Sequence, residues 1–315
     1  MTLEFAFDEL ELYRIELEVF SFNEGVYKAY KYNLKRKVNV MFGEDRPYEE
    51  VNYKALREYR ETLWKTSFGL QKIDRLKPSD YLIELSKEEI EGNKTYAEIR
   101  DSLDKYYSSE ESNKETEEAD KVSVSIAERL SQPRLFEKST RGLKQIHAHL
   151  FSGIERFKYP VGKFREVNIS KEEPVLNGKS VFYESWNMLD LAFQIDLEEE
   201  DKKDYSSLTK EEKAKSAMKF ISNIWQIHPF REGNTRTIAV FAIEYFRSLG
   251  FEINITMFGK HSKYFRNALV RDNCKLEWQT SYFLDLFTEN LLLDGEHDLA
   301  KMNLDVEPQD VTKDI

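Results

Sequence analysis

The chain has 315 residues, 40% hydrophobic and 33% charged, with a formal net charge of −11. A single cysteine excludes an intramolecular disulfide framework, and the acidic balance speaks against a broad nucleic-acid surface. No apolar run reaches the length of a membrane span and residues 1–25 are too acidic for a signal peptide, so a cytoplasmic protein without nucleic-acid or membrane partners is expected.

From the N-terminus, Tyr13, Ile15, Leu17 and Val19 alternate with Arg14, Glu16 and Glu18. With the turn Asn23-Glu24-Gly25, this predicts a small hairpin within residues 1–35. Val51, Leu56, Tyr59, Leu63 and Trp64 recur at helical steps over 48–75, with Gly69 as an interruption. Pro78-Ser79-Asp80 starts another helix through Tyr81, Leu82 and Leu85, which runs toward Ile90-Glu91-Gly92-Asn93. Residues 104–121 are charged and serine-rich and read as an exposed loop or insertion, with a solvated helix as the other reading.

Helical periodicity resumes over 122–153 with Val124, Ile126, Leu130, Leu143, Ile146, Leu150 and Phe151. His147 and His149, two apart, point to different sides of a helix, so they read as structural or solvent-facing rather than as a metal pair. Phe164, Val167, Ile169 and the turn Asn177-Gly178 predict a short hairpin in 160–184. A helix with Trp186, Met188, Leu189, Leu191 and Ile195 follows, then an acidic turn from Glu198 to Asp204.

Thr209 and Glu212 form a T-x-x-E capping box, so a helix starts near Lys210. Its face is Ala214, Ala217, Met218, Ile221, Ile224 and Trp225, and Pro229 ends it near His228. The next helix begins around Gly233–Thr235, and its run from Ile238 to Phe246 is apolar nearly all round, which predicts a central buried element stopping at Gly250. Residues 262–271 and Trp278–Leu293 give further helices, Cys274 reads as a packed thiol, and from about Asn303 the chain is a polar tail.

Between the two middle helices stands HPFREGNTRT, residues 228–237. A helix N-terminus presents unpaired N–H groups and the positive end of the dipole, which favours phosphate. Gly233 lets backbone come close to a ligand, and Arg236 can fork onto phosphate oxygens. Glu232 is a hard oxygen ligand of the kind Mg²⁺ takes alongside phosphates. His228 can act as a general base near neutral pH. Together these residue types describe phosphate-centred chemistry on a nucleotide.

The same ten residues resemble the signature of the Fic family, H-P-F-x-[D/E]-G-N-x-R, at every fixed position. The resemblance implies a mainly α fold: a Fic-type helical bundle with a small β-hairpin flap, here with a mostly helical N-terminal extension. Expected boundaries are 1–100 for the extension, 101–300 for the catalytic domain and 301–315 for the tail. The implied reaction is transfer of AMP from ATP, with Mg²⁺, to a Tyr, Thr or Ser hydroxyl of a protein. His228 would be the base and Glu232 the metal ligand, while Gly233, Asn234, Thr235 and Arg236 would hold phosphates. Phe230 would anchor the loop from inside, and Arg231 would face the surface.

The segment G-x-F-R-x-V-N-I-S is similar to family sequences leading into the flap, whose outer strand would be Lys179, Ser180, Val181 and Phe182 and would dock the protein substrate. Tyr264 and Asn267 would approach adenine or ribose, with core packing as the other reading of Tyr264. Ile90-Glu91-Gly92-Asn93 resembles the family's inhibitory motif, in which a glutamate enters the ATP site. Lys87 stands at the motif's Ser/Thr position, and Ala239 where the glutamate's arginine partner falls. The other reading of Glu91 is a solvated helix end. Alternatives within the fold are Doc-like phosphorylation and removal of AMP; outside it, a non-catalytic interaction module. A homodimer is left open.

Overall fold

The computed structural model describes residues 53–109, 112–132 and 136–305. The expected hairpin in 1–35 lies outside them, as does the tail from residue 306. Among the described residues ten α-helices follow in order: α1 Tyr53–Gln71, α2 Asp80–Ile90, α3 Tyr96–Ser108, α4 Glu117–Ser131, α5 Thr140–Phe151, α6 Leu189–Asp201, α7 Lys210–Ile227, α8 Asn234–Ser248, α9 Thr256–Asn273 and α10 Tyr282–Leu292. Among the described residues there is no β-strand, so the mainly α class holds and the β-hairpin flap does not form. None of these helices is long and apolar enough to cross a membrane.

Local chemistry accounts for the helix starts. Ser79 caps α2 by accepting from Leu82 N, and the Thr209–Glu212 capping box opens α7 as its spacing requires. His228 ends α7 in the left-handed region at φ 50°, ψ 58°, one residue before Pro229. Helix α8 is the centre of the bundle. Every residue from Asn234 to Ile243 is buried, and α8 packs on α5 and α7. An apolar helix surrounded on all sides is where a chain can hold loop residues rigidly at its N-terminus.

Helix α1 packs on α4 and α9. Gly69 does not interrupt it. A Cβ at Gly69 would lie 2.0 Å from Gly259 O, and one at Gly259 would lie 2.6 Å from Lys65 O. The two helices therefore cross backbone to backbone. Thr66 Oγ1 donates to Ile255 O at 3.0 Å and Ser262 Oγ to Gly69 O at 2.7 Å, which pins that crossing.

The stretch 104–121 is not an exposed loop. Helix α3 runs through Ser108, a short 3₁₀ turn spans Lys114–Thr116, and α4 begins at Glu117. Asp120 is wholly buried, accepting from Ser79 N, Ser79 Oγ and Tyr107 Oη. Its polarity served buried pairing, which composition could not distinguish from solvation.

Candidate active site

The loop 228–233 joins α7 to the N-terminus of α8 and is held from beneath. Phe230 is wholly buried and stacks on His147 at 3.9 Å between centroids. The Asn234 side chain brackets the loop: Oδ1 accepts from Phe230 N and Nδ2 donates to Phe230 O, both at 2.8 Å. Gly233 has φ 75°, and a Cβ there would lie 2.4 Å from the Phe151 ring. Only glycine meets both the left-handed backbone and that contact.

Sequence reasoning missed the part played by His147. Gly162 N donates to its Nδ1 at 2.9 Å, so Nε2 carries the hydrogen and donates to Glu232 O at 3.2 Å. Burial pushes this imidazole down to about 4. His149 turns elsewhere, with Nε2 3.1 Å from Ser125 O.

A second missed residue is Arg165, which is 2% exposed. It donates to His228 O at 2.9 Å, Val167 O at 2.7 Å and Ile227 O at 3.3 Å, and also to Glu184 O. Its own N–H donates to Pro229 O at 2.8 Å. One guanidinium thus ties the end of α7 to both ends of the segment 167–184. Nothing in local spacing announces that role.

A cleft of about 880 Å³ opens over this loop, and Glu232, Arg236, Asn267, Lys171, Lys263 and Arg266 are among the residues lining it. Arg236 is wholly buried and already paired. Its Nε lies 2.7 Å from Asp74 Oδ2, Nη2 lies 2.7 Å from Glu118 Oε1, and Nη1 donates to Gln71 Oε1 at 3.1 Å. The Glu232 carboxylate accepts from Gly233 N at 3.0 Å. No group of three or more His, Cys, Asp or Glu side chains forms a metal cluster among the described residues. One carboxylate beside a phosphate-favouring helix end nevertheless fits Mg²⁺, which takes one or two carboxylates together with substrate phosphates.

His228 is partly exposed as a residue but closely surrounded. Tyr183 stacks on its ring at 4.1 Å and 25°, and Trp225 meets it edge-on at 5.4 Å and 86°. Its Nδ1 is buried with no hydrogen-bond partner among the described residues. Burial pushes the imidazole down to about 3, and the positive charges of Lys171, Arg266 and Arg165 act the same way. The ring is therefore neutral across the physiological range, the form that accepts a proton.

Other expected site residues sit as follows. The Thr235 hydroxyl accepts from Trp225 Nε1 at 3.0 Å. Asn267 lines the cleft, whereas Tyr264 belongs to the core: its hydroxyl donates to Phe283 O at 3.0 Å and its ring stacks on Phe287. Glu91 is exposed and takes Arg57 Nε at 2.6 Å, and it does not line the cleft. Arg231 is exposed beside the Tyr159 ring.

In place of the flap strands there is a compact turn. Glu173 N donates to Lys179 O and Gly178 N to Glu173 O, both at 3.0 Å, around the 3₁₀ turn Pro174–Leu176. These bonds close a loop but make no ladder. Lys179 lies over the Trp278 ring, Ser180 Oγ accepts from Lys171 N, and Val181 is buried. Phe182 is the exposed apolar member of the four, at 65%.

Residues 137–246 match the family described as Fic/DOC family. A curated relative from Bartonella henselae, named protein adenylyltransferase, is 30% identical over 86 residues, which are 27% of this chain. The aligned region spans only 16% of that relative's length. Among solved structures, the BepC protein of Bartonella tribocorum with bound AMPPNP is 14% identical, with a TM-score of 0.41 over 62% of this chain and 86% of that one. A Fic-domain signaling protein of Bacteroides thetaiotaomicron is 16% identical, with a TM-score of 0.40 over 76% of this chain and 91% of that one. The likeness to the Fic/DOC family thus covers the stretch that holds α5, α6, α7, the loop 228–233 and most of α8.

Proposed function

We propose that this chain is a protein adenylyltransferase, moving AMP from ATP onto a Tyr, Thr or Ser hydroxyl of a target protein. The observation that carries the reading is the convergence of a neutral His228, Glu232 and Arg236 on one loop at the N-terminus of a buried helix, with the latter two facing a single cleft. The match of residues 137–246 to the Fic/DOC family and the name of the curated relative support it.

In this reaction the target oxygen attacks the α-phosphorus as its proton passes to His228. The new P–O bond forms, the bond from the α-phosphorus to the bridging oxygen breaks, and pyrophosphate leaves. A serine or tyrosine hydroxyl is a weak nucleophile, so a base is needed. Backbone N–H groups at the start of α8 would stabilise charge on the α-phosphate. Arg236 would hold a terminal phosphate in place of its present carboxylates. Glu232 would hold Mg²⁺, which when bound neutralises charge on the phosphates. The target would dock beside Phe182, the exposed aromatic side chain of the 179–182 segment.

The test is incubation with Mg²⁺ and ATP labelled on either the α- or the γ-phosphate, with a cell lysate supplying targets. Transfer of the α-label, reduced about 10²–10⁴-fold in His228→Ala, is the expected result. Transfer of the γ-label alone would replace the reading with phosphorylation, and transfer of neither would remove it.

A further inference from the structure

General bases are usually oriented by a hydrogen bond to their second ring nitrogen. His228 lacks one: Nδ1 is buried and has no hydrogen-bond partner among the described residues. Its backbone is fixed, because its N–H donates to Trp225 O at 3.1 Å and its carbonyl accepts from Arg165. Backbone fixing leaves both side-chain torsions free. What meets the ring is aromatic: the indole edge of Trp225, from its own helix, and the face of Tyr183, from the segment before α6.

Tyr183 is itself held. Its hydroxyl donates to Glu173 Oε1 at 3.3 Å. Glu173 is wholly buried and takes a two-pronged bond from Arg266, with Nη1 and Nη2 each at 2.7 Å. Arg266 is on α9, an element of the rigid bundle. A buried ion pair carries a desolvation cost, and a bidentate fork fixes both distance and plane. The same Glu173 closes the 173–179 turn through its backbone. Contact therefore runs without a break from α9 through Arg266, Glu173 and Tyr183 to the imidazole face.

We infer that Tyr183 is a positioning residue that sets the plane of the His228 ring by stacking, and that the Glu173–Arg266 fork sets the place of Tyr183. This rests on the reading of His228 as the base. The charged groups around the imidazole are Lys171 and Arg165 from the segment before α6 and Arg266 from α9, with Glu173 behind Tyr183. Among the described residues no carboxylate is hydrogen-bonded to the ring, so orientation falls to the stack.

The chain has five histidines, few enough to resolve by NMR after histidine ring labelling. The His228 signals are assigned by their loss in His228→Ala. In the wild type they lie upfield from the Tyr183 ring current. Tyr183→Leu fills the space without a π face and is expected to abolish that displacement. Tyr183→Phe keeps the face, loses the bond to Glu173, and is expected to retain most of it. In the α-label assay Tyr183→Leu is expected to lower kcat by about 10²-fold with the KM for ATP little changed, as for a misplaced reacting group. Glu173→Gln should fall between the two variants in both readouts.

Unmoved His228 signals in Tyr183→Leu, or a kcat within twofold of wild type, would overturn the inference. Should Tyr183→Leu not fold, the Phe and Gln variants decide by the same signals: a displacement that does not change with either overturns it. Should the wild type transfer no label, the proposed function fails, while the ring signals still decide whether Tyr183 sets the imidazole plane.

Discussion

Arg236 Nη2 sits 2.7 Å from Glu118 Oε1, with the guanidinium wholly buried and the carboxylate one-fifth exposed. Asp74 forms an ion pair with the same guanidinium, its Oδ2 2.7 Å from Nε. Any phosphate held by Arg236 must therefore compete with two carboxylates delivered by elements outside the matched domain, the turn after α1 and the start of α4. Glu118→Gln removes one competing charge. The expected outcome is a several-fold lower KM for ATP, together with a loss of about 1–3 kcal/mol in stability from the weakened charged bond. Nucleotide titration and urea unfolding of the same variant read the two effects separately.

Gly233→Ala places a Cβ 2.4 Å from the Phe151 ring at a φ of 75°. Strain of this kind costs on the order of 1–3 kcal/mol before the clash is counted. The clash part should be recovered by shortening the obstacle. Gly233→Ala combined with Phe151→Leu is expected to be less destabilised than the sum of the single changes, by chemical denaturation. Strict additivity would show that the ring moves aside freely.

Arg165→Met leaves the carbonyls of His228, Val167, Glu184 and Ile227 without their buried donor. Since an unsatisfied buried acceptor costs about 1–3 kcal/mol, the loss should be about 3 kcal/mol or more. Lysine offers one ammonium in place of a planar fork and should restore little of it. Thermal unfolding of both variants checks this.

The pH dependence of stability follows from two depressed imidazoles. His147 is pushed to about 4 and His228 to about 3 by burial, below the ordinary value of 6.5. Above 6.5 neither state binds the proton and their contribution is complete. As pH falls from 6.5 toward 4, the unfolded chain takes up protons that the folded one refuses, and stability declines. At pH 5 the loss is about 2 kcal/mol per histidine. Asp120, which is buried, and Asp196, which is partly buried, are both raised by desolvation and act in the opposite sense. His147→Gln, which keeps a donor toward Glu232 O, should flatten the decline between pH 7 and 5, measured as Tm against pH.

What could be read from residues alone was local. The Thr209–Glu212 spacing, the apolar run after Gly233 and the position of Pro229 placed α7, α8 and the loop between them. The counter-charges of Arg236 were not legible. Asp74 follows a helix read as broken at Gly69, and Glu118 lay in a stretch whose composition matches solvated chain. The partner that makes such acids structural is more than a hundred residues away, and no periodicity encodes it. The flap strands failed for a different reason. Asn177-Gly178 does turn the chain, but a 3₁₀ turn at Pro174–Leu176 takes up the residues a strand would need, and Pro174 has no N–H to give to a ladder.

The glycine crossing of α1 and α9 bears on all of this. Side chains at a helix contact can repack and let one helix slide, but touching backbones cannot. With Gly69 seated on Gly259, α1 has one longitudinal setting, and Asp74, five residues further on, inherits it. A methyl at either glycine would act as a wedge, lifting the end of α1 and drawing its carboxylate off Arg236. The pairing of Arg236 with Asp74 is thus set by a contact made of no side chain at all.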